Sequence, residues 1–168
     1  MGNSRTKILN HTAIQASLKR MAFEIYEKNF GLKEILVVGV DFRGTYVARE
    51  LIRNLESISD LEVVFIHAPR NGEDLPAIDR ERWDARIKGK TLILVDDVLY
   101  SGRTLFSALA QVVDMEPEGV QVAVLIDRGH RALPIAPDFK GLDLATTLKQ
   151  HVSVEISASE DRAEAFLQ

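Results

Sequence analysis

Two adjacent carboxylates, Asp96 and Asp97, close the apolar run "TLILVDD", and the turn "VLYSGRT" follows directly. Buried strands seldom finish on paired acids, because like charges repel and each resists losing its water. The turn carries the complementary chemistry. Successive backbone N–H groups ahead of a helix form an anion cradle. Gly102 lets the backbone approach a ligand closely, Ser101 and Thr104 add hydroxyl donors, and Arg103 adds positive charge. That set suits a phosphate monoester. An ionised Asp pair accepts O–H donors, as from a vicinal diol. Phosphate and diol close together describe a ribose 5-phosphate, and negative surroundings favour positive charge growing at the anomeric carbon as a leaving group departs. The residues point to transfer at C1 of a phosphorylated ribose. The plain alternative is an Asp cap before a glycine turn, which leaves the hydroxyl-Gly-Arg-Thr order unexplained. The turn lacks the lysine of a G-x-x-x-x-G-K-[ST] loop, and G-x-G-x-x-G occurs nowhere in the chain.

These residues need elements to hold them. Ile14, Leu18, Met21, Ala22 and Ile25 recur at helical steps, so residues 13–28 read as an amphipathic helix, with Thr12 and Gln15 resembling a capping box and Asn29 and Gly31 as the stop. "EILVVGV" (34–40), "LEVVFIHA" (61–68), "TLILV" (91–95), "VQVAVLI" (120–126) and a late "VSVEI" (152–156) read as strands. Helical patterns follow from Gly44, with Val47, Ala48, Leu51 and Leu55 inward, and from about Arg103 to Met115. Apolar strands separated by helices mean an open α/β sheet, mostly parallel and covered on both faces. Ligands of such sheets lie beyond the carboxyl ends of the strands. There stand "DFRG" (41–44), the long connection 69–90, the acid pair with its turn, and "DRGHR" (127–131). His130 is a functional candidate there; His67 ends a strand facing 69–90, and His11 and His151 read as surface imidazoles.

The remaining composition narrows the class. At 168 residues, with 46% hydrophobic and 27% charged residues, a single soluble domain over 1–168 is expected. No apolar stretch is long enough to cross a bilayer and the first residues carry no leader-like apolar region, so neither a membrane nor a secretory route is expected. The lack of cysteine excludes disulfides and thiolate metal sites and fits the cytoplasm. "MGNSRT" and "NHT" fit modification templates too short to be specific. A net charge of −4 argues against indiscriminate nucleic-acid binding.

"LILVDDVLYSGRT" resembles the phosphoribosyl-pyrophosphate (PRPP) motif of type I phosphoribosyltransferases. "VDDVLYSGRT" and "AVLIDRGHRALPI" together are similar to the signatures of the bifunctional pyrimidine-operon attenuator/uracil phosphoribosyltransferase family. "VGVDFRGTYVA" resembles its pyrophosphate loop, and "LKRMAFEIYEKN" its first helix. The resemblance implies that Asp96 and Asp97 hold the ribose hydroxyls and that Tyr100, Ser101, Gly102, Arg103 and Thr104 wrap the 5-phosphate. It places pyrophosphate on Val40, Asp41, Phe42, Arg43 and Gly44, with Arg43 supplying charge. It implies Mg²⁺ bound mainly through PRPP rather than by a protein metal cluster. Segment 69–90 becomes a flap, with Arg70 its cation, and residues 127–151 a small hood over the base, with Asp127 and Arg128 favouring a pyrimidine. The partners implied are PRPP and a nucleobase, and the assembly a homo-oligomer, dimer or higher.

Three departures from the family pattern stand out. Asp41 replaces a lysine of the pyrophosphate loop, the flap lacks a Tyr-Arg-Asp-Asp signature, and Phe23 stands where regulatory members carry a histidine linked to RNA binding. Two readings follow. One is a catalyst making UMP from uracil and PRPP. The other is a UMP-sensing RNA-binding regulator with little turnover, for which Lys19, Arg20, Lys28, Arg128, Arg131, Lys140 and Lys149 are scattered among acids. A phosphoacceptor receiver domain would need its acid pair after the first strand, where it is not found.

Overall fold

A computed structural model describes residues 5–69 and 77–168. In chain order the elements are β1 (Thr6–Leu9), α1 (His11–Lys28), β2 (Glu34–Val40), α2 (Asp41–Ile58), β3 (Glu62–Ala68), α3 (Arg80–Ile87), β4 (Thr91–Leu99), α4 (Arg103–Val113), β5 (Gly119–Asp127), β6 (Phe139–Asp143), β7 (Val152–Ile156) and β8 (Ala163–Leu167). Five strands form one sheet in the order β3-β2-β4-β5-β6, and every neighbouring pair is parallel. The α/β fold expected from the apolar runs is present.

Alternation along the central strands divides the core. Ile35, Val37, Ile93 and Val95 face the side covered by α1 and α2. Leu36, Val38, Leu92 and Leu94 face the side covered by α4 and Ile87 of α3. Strands buried on both faces must read as continuous apolar runs, which is why they were visible in the sequence. On α1, Ile14, Leu18, Met21 and Ile25 make the inward stripe. Its cap is Asn10, whose side chain accepts from the Ala13 N–H at 2.8 Å, so the helix begins before the expected Thr12–Gln15 box.

The structure departs from expectation at both ends of the chain. Residues 152–156 are a strand, but antiparallel in a separate sheet of order β1-β8-β7. The fifth strand of the parallel sheet is β6, inside the stretch assigned to the hood. α1 supports that polar strand. Arg20 donates to the carbonyls of Lys140 and Gly141 at 3.0 and 2.8 Å, and a Cβ at Gly141 would lie 2.6 Å from the Leu125 carbonyl oxygen. The connection 69–90 contains α3, capped by Asp79 and anchored by buried Ile87 with Trp83 packed beside the same core. Arg70 lies outside the described residues.

Ile93 lies on β4, the middle strand of the parallel sheet, and is fully buried. Ile93→Ala should cost about 2–5 kcal/mol, the range for emptying a packed aliphatic site. Urea unfolding monitored by circular dichroism checks it, with an unchanged midpoint as the contrary result.

Candidate active site

The sheet order reverses direction between β2 and β4: the chain leaves β2 toward β3 on one side, and β4 leads to β5 and β6 on the other. Such a switch point opens a crevice beyond the carboxyl ends of the two strands. The first turn of α2 and the end of β4 meet there. α2 begins at Asp41, three residues before the expected Gly44, and Asp41 adopts φ 57°, a left-handed conformation uncommon for a residue with a side chain. Gly44 then passes against β4, where a Cβ would stand 2.6 Å from the Val95 carbonyl oxygen and 3.1 Å from the Asp96 Cα. Only glycine permits that approach.

β4 continues through the acid pair to Leu99 rather than ending on it, so both carboxylates belong to an ordered strand. Asp96 is 8% exposed. The Asp97 N–H donates to Asp96 Oδ1 at 2.9 Å. Burial, with the neighbouring Asp97 charge second, pushes Asp96 well above the usual carboxylate range. Burial raises Asp97 too, opposed by its hydrogen bond with the Asp96 side chain and by the charge of Arg43. The pair titrates as a unit and holds a proton to higher pH than two separate acids would.

Past Leu99 the chain turns through Tyr100, Ser101 and Gly102 into α4. Gly102 caps α4 at φ 81°, and a Cβ there would come within 2.5 Å of Ile135 Cγ2. The connection after β5 clasps this turn: the Arg128 N–H donates to the Leu99 carbonyl and the Ala132 N–H to the Ser101 carbonyl, each at 3.0 Å. The Arg128 guanidinium lies 4.2 Å over the Tyr100 ring. Its Nε donates to Thr146 Oγ1 at 3.0 Å and an Nη to the Gln150 carbonyl at 2.5 Å. One buried arginine thus ties the turn to residues 146–150.

Those residues form a further wall. A cavity of about 320 Å³ has Arg43, Asp97, Tyr100 and Arg128 on one side and Leu148–Val152 on the other. Four of the residues singled out from the sequence therefore share one cleft. His151, read as a surface imidazole, also lines it; the lone histidine in "LKQHV" carried no signal of its own. Asp41, Phe42 and Arg43 line an adjoining cavity of about 560 Å³ against Val154–Ile156 of β7. Asp127 is turned away from the 320 Å³ cleft, accepting from the Gly129 N–H at 2.9 Å and from the Arg131 guanidinium. His130 bonds the Thr146 carbonyl through Nε2, beside rather than within the cleft.

Residues 4–159 match the family model described as phosphoribosyl transferase domain. The chain belongs to the phosphoribosyltransferase family. Among proteins of similar sequence, the bifunctional protein PyrR of Brevibacillus brevis is 39% identical, over 92% of this chain and 91% of its own length. That of Clostridium novyi is 38% identical, over 95% and 96%. Among solved structures, the hypoxanthine phosphoribosyltransferase of Trypanosoma cruzi superposes with a TM-score of 0.75 at 14% identity, covering 95% of each chain. A hypoxanthine-guanine phosphoribosyltransferase of Bacillus anthracis gives 0.70 at 22%, covering 95% of this chain and 96% of its own. At those identities the structures attest the fold alone.

The buried Asp96 of this phosphoribosyltransferase bears on stability. Because Asp96 titrates higher in the folded chain than in the unfolded one, its contribution is fully present below the unfolded value and is lost as pH rises through the folded value. Asp96→Asn keeps an acceptor for the Asp97 N–H and cannot ionise. Its melting temperature should exceed the wild type's at pH 8, and the gain should disappear near pH 4. Thermal unfolding at both pH values tests this; an equal offset at both would contradict it.

Proposed function

We propose that this protein transfers the phosphoribosyl group of PRPP to uracil, giving UMP and pyrophosphate. The observation that carries the reading is the meeting, in one cleft at the switch point, of Asp97 from β4, Arg43 from the first turn of α2, and Tyr100 at the start of the turn that caps α4. In the reading, the 5-phosphate lies on Tyr100–Thr104, where backbone N–H groups and the α4 N-terminus meet it. Asp96 and Asp97 accept hydrogen bonds from the ribose 2- and 3-hydroxyls. Val40–Gly44 receives the pyrophosphate, with Arg43 beside it.

The reaction forms the bond from uracil N1 to C1 as the bond from C1 to the pyrophosphate oxygen breaks, and the N1 proton passes to water or to the departing pyrophosphate. Positive charge grows on the ring in between, and the adjacent carboxylates favour it. Arg43 balances negative charge on the leaving group. Arg128, held under Tyr100, keeps residues 148–152 at the base side of the cleft. Two adjacent carboxylates supply hard oxygen ligands, and no three metal-binding side chains converge among the described residues. Asp97, the member of the pair that lines the cleft, would supply the protein oxygen nearest a Mg²⁺ that arrives with its ligands mainly on PRPP. When bound, the ion supplies charge neutralisation at the pyrophosphate.

The uracil assignment rests on the resemblance to the pyrimidine branch; Asp127, which that resemblance sets against a lysine of the purine branch, lies outside the 320 Å³ cleft. The regulator reading gains less support. On α1, Arg20 is engaged with Glu24 and two carbonyls of β6, Lys28 pairs with Asp138, and half-exposed Phe23 interrupts the same face. A cytoplasmic location and a homo-oligomeric assembly belong to the reading as well. No helix of the described residues is long and apolar enough to cross a membrane.

Pyrophosphate release from PRPP and Mg²⁺, measured with uracil, hypoxanthine, guanine, xanthine and orotate in turn, is the direct test, with turnover expected for uracil. Asp97→Asn should keep the fold and reduce kcat about tenfold to hundredfold, the worth of a charge-assisted hydrogen bond. Wild-type turnover by that variant at saturating PRPP would remove Asp97 from its assigned role.

A further inference from the structure

The five residues Val40–Gly44 are bracketed by Gly39 and Thr45, and those two brackets are tied together. Thr45 Oγ1 lies 3.3 Å from the Gly39 carbonyl oxygen, which accepts from it. The tie is tightly packed: a Cβ at Gly39 would stand 2.7 Å from Thr45 Cα and 3.1 Å from the Phe65 ring. A third residue joins it. His67 is the ladder partner of Gly39 on β3, and its Nδ1 lies 2.8 Å from Thr45 Oγ1. Nothing in the phosphoribosyl reading uses this histidine.

A threonine hydroxyl has one proton to donate. When Nδ1 of His67 is bare, it competes with the Gly39 carbonyl for that proton, and at 2.8 Å against 3.3 Å it is the nearer acceptor. When Nδ1 carries a proton, it donates to Thr45 Oγ1 and leaves the hydroxyl proton for Gly39. An imidazolium always has that proton; a neutral ring has it in only one of two tautomers. Protonation thus completes the chain from His67 through Thr45 to Gly39 and ties the two residues that flank Val40–Gly44. We infer that His67 is a positioning residue for Val40 and the first turn of α2, making the grip of residues 40–44 on a pyrophosphate group tighten as the imidazole gains a proton. The inference rests on the proposed pyrophosphate role of that segment.

The groups around the imidazole are compatible with such a switch. Among the described residues, Asp79 and Arg82 share its cavity from the α3 side with Trp83, and Arg49 of α2 lies over the Phe65 ring at 5.8 Å. β2 presents only Gly39 at that level. His67 is exposed, so its protons exchange freely with solvent.

Calorimetric titration of the full chain with pyrophosphate and with UMP, both with Mg²⁺, between about pH 6 and 8 tests the inference over the range where histidine titrates. His67→Asn is the decisive variant, because an amide donor near the Nδ1 position keeps the tie without a titration. Pyrophosphate changes its own charge over this range, so the readout is the ratio of wild-type to His67→Asn dissociation constants at each pH. That ratio should rise about threefold to tenfold from pH 6 to pH 8, the worth of one hydrogen bond. His67→Ala should bind pyrophosphate more weakly than His67→Asn, with no pH trend between them. UMP, held by the turn at 100–104, should give a ratio near one throughout. Parallel pyrophosphate profiles for wild type and His67→Asn, with UMP binding intact, would overturn the inference alone. Failure of the wild type to bind UMP would overturn the nucleotide reading and the inference with it.

Discussion

The site depends on one close approach, that of the first turn of α2 to the end of β4. At Gly44 the two backbones are near enough that a single added carbon would fall 2.6 Å from the Val95 carbonyl oxygen. This approach brings Arg43 from one side of the switch point to Asp97 on the other, so that a cation moderates the rise in that acid's pKa. A larger residue would separate the elements and leave the acid pair without that charge. The approach requires no unusual chemistry, only the absence of a Cβ at one position.

The acid pair is held at an energetic cost. A carboxylate stripped of water favours its neutral form, and Asp96 is enclosed by the strand that carries it. The surrounding core offsets this: Leu94 and Val95 precede the pair fully buried, and each such side chain contributes about 1.5–3 kcal/mol on leaving water. A strand end carrying two acids is sustained because the same strand is among the most apolar in the chain. Arg128 extends the arrangement outward. Its stacking on Tyr100 and its bonds to Thr146 and Gln150 make the phosphate turn and the opposite wall of the cleft parts of one assembly.

What the sequence made legible follows from the same physics. β2, β4 and β5 are buried on both faces, so their apolar runs were unmistakable, and the acid pair stood out against one of them. β6 reads "FKGLD" and is held by Arg20 and by the space left at Gly141, contacts that no local pattern reveals. Residues 152–156 were recognisable as a strand, but alternation does not say which strand is the partner, and they pair with β8. α3 is short and polar, with Ile87 its one buried residue, too little to make a helical stripe. The wall at 148–152 comes from the packing of the connection before β7, so Leu148 and His151 could be placed at the cleft only from the fold.

The central claim is that the turn at 100–104 holds a phosphate attached to a ribose. Calorimetry with UMP and uridine on the wild type and on Gly102→Val tests it most directly. Valine at this position would oppose φ 81° and meet Ile135, so circular dichroism should accompany the titration to confirm the fold. The account predicts that wild type binds UMP at least about tenfold more tightly than uridine, as a charge-assisted contact requires, and that the folded variant brings UMP down to uridine's level. Equal affinities in the wild type, or undiminished UMP binding by the variant, would contradict it.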